Sequence, residues 1–108
     1  LLACAHDVGL DALVEVHTAD ELERALALDA QLVGINNRDL HSFKTDVAVT
    51  RALAPRAAAR TVISESGLDS CDVVRALEAE GVHAFLVGEA LMREPDPGAA
   101  LRRLRGAP

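Results

Sequence analysis

The stretch Leu32-Val33-Gly34-Ile35-Asn36-Asn37-Arg38-Asp39 runs from residues without polar side chains into a cluster of amide, cationic and acidic groups. The same transition recurs along the chain. Ala12–Val16 carries Glu15 near its end, Thr61–Ser64 runs into Glu65-Ser66-Gly67, and Ala84–Val87 runs into Gly88-Glu89. Short segments that are apolar on both faces are strands of a sheet covered by helices. Polar residues gathered at strand ends, each followed by a helix, are the repeating unit of a parallel α/β barrel, whose active sites lie at the carboxyl ends of the strands. The fold class is therefore α/β, with parallel strands alternating with helices, and the pattern points to an enzyme.

The segments between strands read as helices. Leu1, Leu2, Ala5 and Val8 make a first amphipathic stretch. Thr18 and Glu21 form a capping box, after which Leu22, Ala25 and Leu26 recur at helical spacing to about Leu28. Asp46 can cap a helix with Val49 and Leu53 on one face, stopped near Pro55. Ser70 can cap another with Val73, Val74 and Leu77, ended by Gly81 in the left-handed position. A last helix follows Pro97 and is expected to turn Leu101 and Leu104 inward. Right-handed crossovers between consecutive parallel strands follow from this order.

A complete eight-stranded barrel needs roughly 200 residues or more, and this chain has 108. It begins at Leu1 without an initiator Met, already inside a helix, and is expected to be a fragment: residues 1–108 as one incomplete barrel domain. Half of the residues are apolar but the only aromatics are Phe43 and Phe85, so Ala, Val, Leu and Ile must build the core. The net charge of −6 offers no basic patch for nucleic acid. No apolar run approaches the ~20 residues needed to span a membrane, and no leader is evident, so a cytoplasmic protein is expected. Cys4 and Cys71 lack ligand spacing and are expected to be reduced thiols.

Side chains alternate along a strand, so a Glu15 that points into the barrel takes Leu13 with it and leaves Val14 and Val16 to the helices. The same parity directs Glu65 inward with Ile63 and Thr61, with Asn36 on the strand between. Two carboxylates in one partly desolvated mouth can be driven to different pKa values, giving an acid and a base. Alternatively, Glu15 is a solvated strand-end carboxylate and Glu65 a cap near the Ser-Gly turn. Asn36 and Arg38 add a neutral bidentate group and a fixed cation. Ser66-Gly67 and Gly88-Glu89 sit where barrel enzymes frequently bind phosphate, although both glycines could also serve tight turns. A phosphorylated small-molecule substrate fits this arrangement provided the Glu89 side chain turns away. His6, His41 and His83 have no ligand spacing, His17, two residues beyond Glu15, either tilts toward the mouth or, as is expected, serves the loop, and Lys44, the single lysine, lies in a loop and not on a strand end.

Four segments carry a resemblance. Leu13-Val14-Glu15-Val16, Gly34-Ile35-Asn36-Asn37-Arg38-Asp39-Leu40, Ser64-Glu65-Ser66-Gly67 and Phe85-Leu86-Val87-Gly88-Glu89-Ala90-Leu91-Met92 resemble, in order and spacing, the second half of indole-3-glycerol-phosphate synthase. The resemblance spans the chain. It implies the C-terminal half of a (β/α)8 TIM barrel, strands five to eight, in an enzyme of tryptophan biosynthesis. That enzyme, a carboxy-lyase, closes the indole ring of 1-(2-carboxyphenylamino)-1-deoxyribulose 5-phosphate with loss of carbon dioxide and water, without metal or organic cofactor.

By that resemblance Glu15 is the general base of the dehydration, and Asn36 and Arg38 orient the substrate. Glu65 hydrogen-bonds the substrate and the catalytic lysines, and Ser66, Gly67, Gly88 and the Glu89 N–H cradle the phosphate. Some members carry Ser in place of Glu89 and many in place of Ala90, so a phosphate contact from a hydroxyl is not implied here. The family's general acid is a lysine on strand three, assisted by a Glu and a Lys on strand one, and none of these strands is in this chain. The partners implied are therefore the missing N-terminal half-barrel or a second copy of the chain. Two other readings compete. A phosphoribosylanthranilate isomerase would require a Cys/Asp acid–base pair, which the strand ends lack, and a non-catalytic half-barrel would bind no substrate.

Overall fold

The computed structural model describes residues 1–107. Four strands, β1 (Leu13–Val16), β2 (Leu32–Asn36), β3 (Thr61–Glu65) and β4 (Ala84–Leu86), form one sheet in sequential order. All three pairings are parallel. Around them run α1 (Leu2–Asp7), α2 (Ala19–Ala27), α3 (Ala48–Leu53), α4 (Cys71–Ala79), α5 (Glu89–Met92) and α6 (Pro97–Leu104). A short 3₁₀ turn, Ala54–Ala57, carries Pro55 and ends the α3 segment.

The helix starts follow local chemistry. Thr18 Oγ1 accepts the Glu21 N–H at 3.1 Å, while Glu21 Oε1 accepts the His17 N–H at 2.8 Å, so the return arm of the capping box reaches one residue beyond its usual partner. Ser70 Oγ accepts the Val73 N–H at 3.3 Å to open α4, and Gly81 follows that helix at φ +95°. Asp46 Oδ1 accepts the Ala48 N–H at 2.9 Å, holding the start of α3. Asp96 caps α6 through the Ala99 N–H at 3.1 Å.

The core lies on one side of the sheet. Val16, Val33 and Ile35 point to the helices and are buried against Leu22, Ala25, Ala30, Leu53 and Ala57. A second cluster of Leu68, Leu77 and Val82 continues this layer under Phe85 and Val87. The opposite face is open, leaving Leu13 44% and Leu86 54% exposed. Four consecutive βα units thus stand with one face covered and the other bare.

Several expectations shift by a residue. β1 begins at Leu13, and β4 ends at Leu86 because Val87 no longer pairs with β3. β2 and β3 run one residue longer, so Asn36 and Glu65 are themselves register partners in the ladder. The orientation of α6 needs correction: Ala100 and Leu104 are buried, while Leu101 is 42% exposed. Positions 100 and 104, four apart, share the inner stripe of this helix, and Leu101 lies outside it. The four-residue α5 is too short to leave a periodic signal in the sequence.

Candidate active site

Strand parity places Leu13 and Glu15, then Leu32, Gly34 and Asn36, then Thr61, Ile63 and Glu65, on the open face. The registers pair Glu15 with Gly34 and Asn36 with Glu65, so three polar side chains project from the carboxyl ends of adjacent strands. Glu65 is buried, with 5% of its surface exposed, and its Oε2 has no hydrogen-bond partner. Burial, followed by hydrogen bonding to Glu15 and the Glu15 charge, pushes the Glu65 carboxyl up from 4.5 to about 7. Glu15 is 47% exposed and remains the accessible member of the pair. The two acids are neighbours with unequal solvation, the condition under which one holds a proton and the other accepts one.

His17, in the loop after β1, tilts toward this group. Its Nε2 lies 3.8 Å from Glu15 Oε2 and its Nδ1 lies 3.6 Å from Glu21 Oε1, with the side chain 18% exposed. The tight passage from β1 into the Thr18 cap turns the imidazole between the two carboxylates.

Asn36 and Arg38 do different work from one another. Asn36 Oδ1 accepts the Arg38 N–H and the Ser66 Oγ–H, each at 2.9 Å. Arg38 donates to the Phe43 carbonyl at 2.9 Å and forms an ion pair with Glu89, which also pairs with Arg93. The Glu89 carboxylate is thus held between two guanidinium groups. Arg38 is a cation already engaged by a carboxylate, the kind of partner an anionic ligand can replace.

A cleft of about 360 Å³ opens here, bounded by Arg38, Glu65, the Ser66-Gly67 turn, Leu86 and the Gly88-Glu89 turn. Ser66 and Gly67 are consecutive left-handed residues, at φ +70° and +71°. Ser66 is held in this costly conformation by its own hydroxyl bond to Asn36 and by its carbonyl, which accepts from Asn37 Nδ2 at 3.0 Å. A Cβ on Gly67 would sit 3.0 Å from Thr45 Cβ. Gly88 differs: its φ is −128°, and a Cβ there would meet nothing within 4 Å. The backbone of Gly88 therefore faces free space rather than a turn that demands glycine.

Beneath the cleft lies a polar network that the sequence reading does not single out. Asn37 Oδ1 accepts from Thr50 N at 3.1 Å and from Thr50 Oγ1 at 2.8 Å, and Asn37 Nδ2 donates to Ser64 Oγ at 3.0 Å. Thr50 Oγ1 and Ser64 Oγ lie 2.8 Å apart. All three side chains are almost fully buried, and each finds partners, as buried polar groups must. A signal is available: Ser64 on β3, and Asn37 one residue past the end of β2, continue the helix-facing parity of these strands, where an unpaired polar group would be costly.

The remaining candidates stand apart. Lys44 is exposed, in the loop whose Thr45 bridges Arg38. Cys4 and Cys71 are free. Among the described residues, no group of three or more His, Cys, Asp or Glu could hold a metal ion, and no helix is long and apolar enough to cross a membrane.

Parallel βα units in sequential order, with unequally solvated acids and a glycine-flanked cleft at the carboxyl ends of the strands, are the arrangement of α/β-barrel proteins. The family model of indole-3-glycerol phosphate synthase matches residues 1–104, and the chain belongs to that family. Indole-3-glycerol phosphate synthase of Chromobacterium violaceum is 50% identical over 105 residues, covering 96% of this chain and 40% of the relative. The Roseiflexus castenholzii enzyme of the same name is 51% identical over 109 residues, covering 98% and 40%, and that of an Azoarcus species is 52% identical over 107 residues, covering 96% and 40%. The chain spans about 40% of the length of these relatives, and the four βα units are that part of their TIM barrel.

Proposed function

We propose that this chain is one incomplete barrel domain, contributing the C-terminal four βα units of an indole-3-glycerol-phosphate synthase. The completed barrel closes the indole ring of 1-(2-carboxyphenylamino)-1-deoxyribulose 5-phosphate, releasing carbon dioxide and water. In this reading Glu15, the solvent-accessible acid, is the general base of the dehydration, and Glu65 hydrogen-bonds the substrate from its buried position. Asn36 and Arg38 orient the substrate. Ser66, Gly67, Gly88 and the backbone of Glu89 cradle the phosphate, with Arg38 exchanging the Glu89 carboxylate for it. The acid that protonates the substrate carbonyl must come from strands outside this chain, because Lys44 lies in an exposed loop.

The observation that carries the proposal is the convergence of Glu15, Asn36 and Glu65 at one end of the sheet, beside a cleft bounded by Gly67 and Gly88. Neither the strand ends nor the family match favours the isomerase alternative. The test is Glu15→Gln in a barrel completed with the upstream half of a relative. Loss of a general base lowers kcat by about 10²–10⁴ while KM changes little. Unchanged turnover would remove Glu15 from the base role.

A further inference from the structure

Glycine inside a strand offers no side chain to pack and often marks a close approach of other atoms. Gly34 stands in the middle of β2, buried, directly between Glu15 on β1 and Ile63 on β3. Its backbone is not left-handed, so the conformation alone does not call for glycine. The space does. A Cβ at this position would lie 1.8 Å from Glu65 Oε2, 3.0 Å from Glu65 Cδ and 3.3 Å from Leu13 Cδ1, the three nearest atoms.

We infer that Gly34 is a positioning residue for the acid pair: its missing side chain is the slot in which the Glu65 carboxyl lies across β2 toward Glu15. Glu65 itself projects two register positions beyond Gly34, opposite Asn36, so its carboxyl must fold back along the sheet to reach the level of Glu15, and only a bare Cα leaves room for it. The charged groups around this slot are few. Glu15 faces it from β1 with His17 behind, and Arg38 and Glu89, paired with each other, share the cleft beyond β3 and β4. The buried Oε2 of Glu65 is held at the slot without a hydrogen-bond partner, an environment that favours the protonated carboxyl over the charged one. The bearing of this slot on catalysis rests on the function proposed above; the geometry does not.

Because the clash is with the far end of a flexible side chain, Gly34→Ala should fold, with Glu65 swung out of the slot and Leu13, which is half-exposed, giving way. The experiment is a carbon-13 carboxyl NMR titration of the 108-residue chain, with the Glu65 resonance assigned by Glu65→Gln. The Glu65 midpoint, about 7 in the parent, should fall by one pH unit or more in Gly34→Ala, toward the ordinary carboxylate range, as contact with Glu15 is lost. A glycine needed only for packing would shift the melting temperature and leave this titration in place. A folded Gly34→Ala with an unchanged Glu65 midpoint overturns the inference. If Gly34→Ala does not fold, combining it with Glu65→Ala should restore folding by removing the clashing carboxyl, and failure of the double variant to fold overturns it equally. Should Glu15→Gln leave turnover intact in a completed barrel, the proposed function fails while the titration result stands.

Discussion

Ser66 Oγ donates a 2.9 Å hydrogen bond to Asn36 Oδ1, tying the left-handed turn after β3 to the end of β2. The neighbouring Asn37 secures the same turn from below through the Ser66 carbonyl and reaches Ser64 and Thr50 with its remaining groups. Two adjacent asparagines thus split the labour. Asn36, on the open face, shapes the cleft, and Asn37, on the helix side, anchors that shape to the core.

Thr50→Val tests the anchor. The substitution keeps the volume but removes the hydroxyl that donates to Asn37 Oδ1 and pairs with Ser64 Oγ. Asn37 Oδ1 keeps the Thr50 N–H, but the buried Ser64 hydroxyl loses its acceptor, which costs about 1–3 kcal/mol, so the midpoint of urea unfolding should drop with the slope unchanged. A loss below about 0.5 kcal/mol, the size of an ordinary surface substitution, would show that the network does not hold the turn.

The raised Glu65 carboxyl gives stability a definite dependence on pH. Its folded pKa of about 7 lies above its ordinary value of 4.5, so between these values the folded chain keeps a proton that the unfolded chain has lost. Stability from this group is fully present below 4.5, declines as pH rises through that window, and levels off above about 7. Urea midpoints at pH 5 and pH 7.5 should therefore separate further for the parent than for Glu65→Gln. Equal separations would mean that Glu65 titrates normally.

The Arg38–Glu89 pair predicts opposite effects on anion binding. Arg38→Ala removes a charge-assisted donor worth about 1.5–3 kcal/mol, weakening the binding of inorganic phosphate by at least tenfold. Glu89→Ala removes the carboxylate that occupies Arg38 and Arg93, and should tighten binding several-fold. Calorimetry at low ionic strength reads both. Weaker binding in Glu89→Ala would show that the carboxylate supports the cradle rather than competing for its cation.

The parts of the molecule legible in the sequence were those set by local rules. Alternation along β1 and β3 placed Glu15 and Glu65 on one face, and the Thr18 and Ser70 caps marked the starts of α2 and α4. Features that depend on pairing across the chain were not legible. Arg38 meets Glu89 across 51 positions of sequence, and nothing local to either residue announces the other. The slot at Gly34 depends on strand register, which alternation alone does not supply. The facing of Leu101 is not legible either, because the inner stripe of α6 runs through Ala100 and Leu104, and which stripe is buried depends on the elements it packs against.

The open face carries a prediction about association. β1 and β4 are edge strands, and Leu13 and Leu86 are exposed on the face that a closed barrel would fill. The chain alone should self-associate at micromolar concentration, and upstream strands of a relative should convert it to a defined complex. Sedimentation velocity distinguishes these states. A stable monomer with a cooperative unfolding transition would mean that the face and edges are protected within the chain itself.

Turnover on reconstitution tests the central claim most directly. The 108-residue chain is assayed alone and after mixing or fusion with the upstream half of the Chromobacterium violaceum relative, with indole-glycerol phosphate followed by its fluorescence. The account predicts no measurable product from the chain alone, because the proposed function places the general acid on strands outside it, and clear turnover from the completed barrel that Glu15→Gln abolishes. A well-folded hybrid with no turnover, or one indifferent to Glu15→Gln, would contradict the assignment of these strand ends as half of a synthase active site.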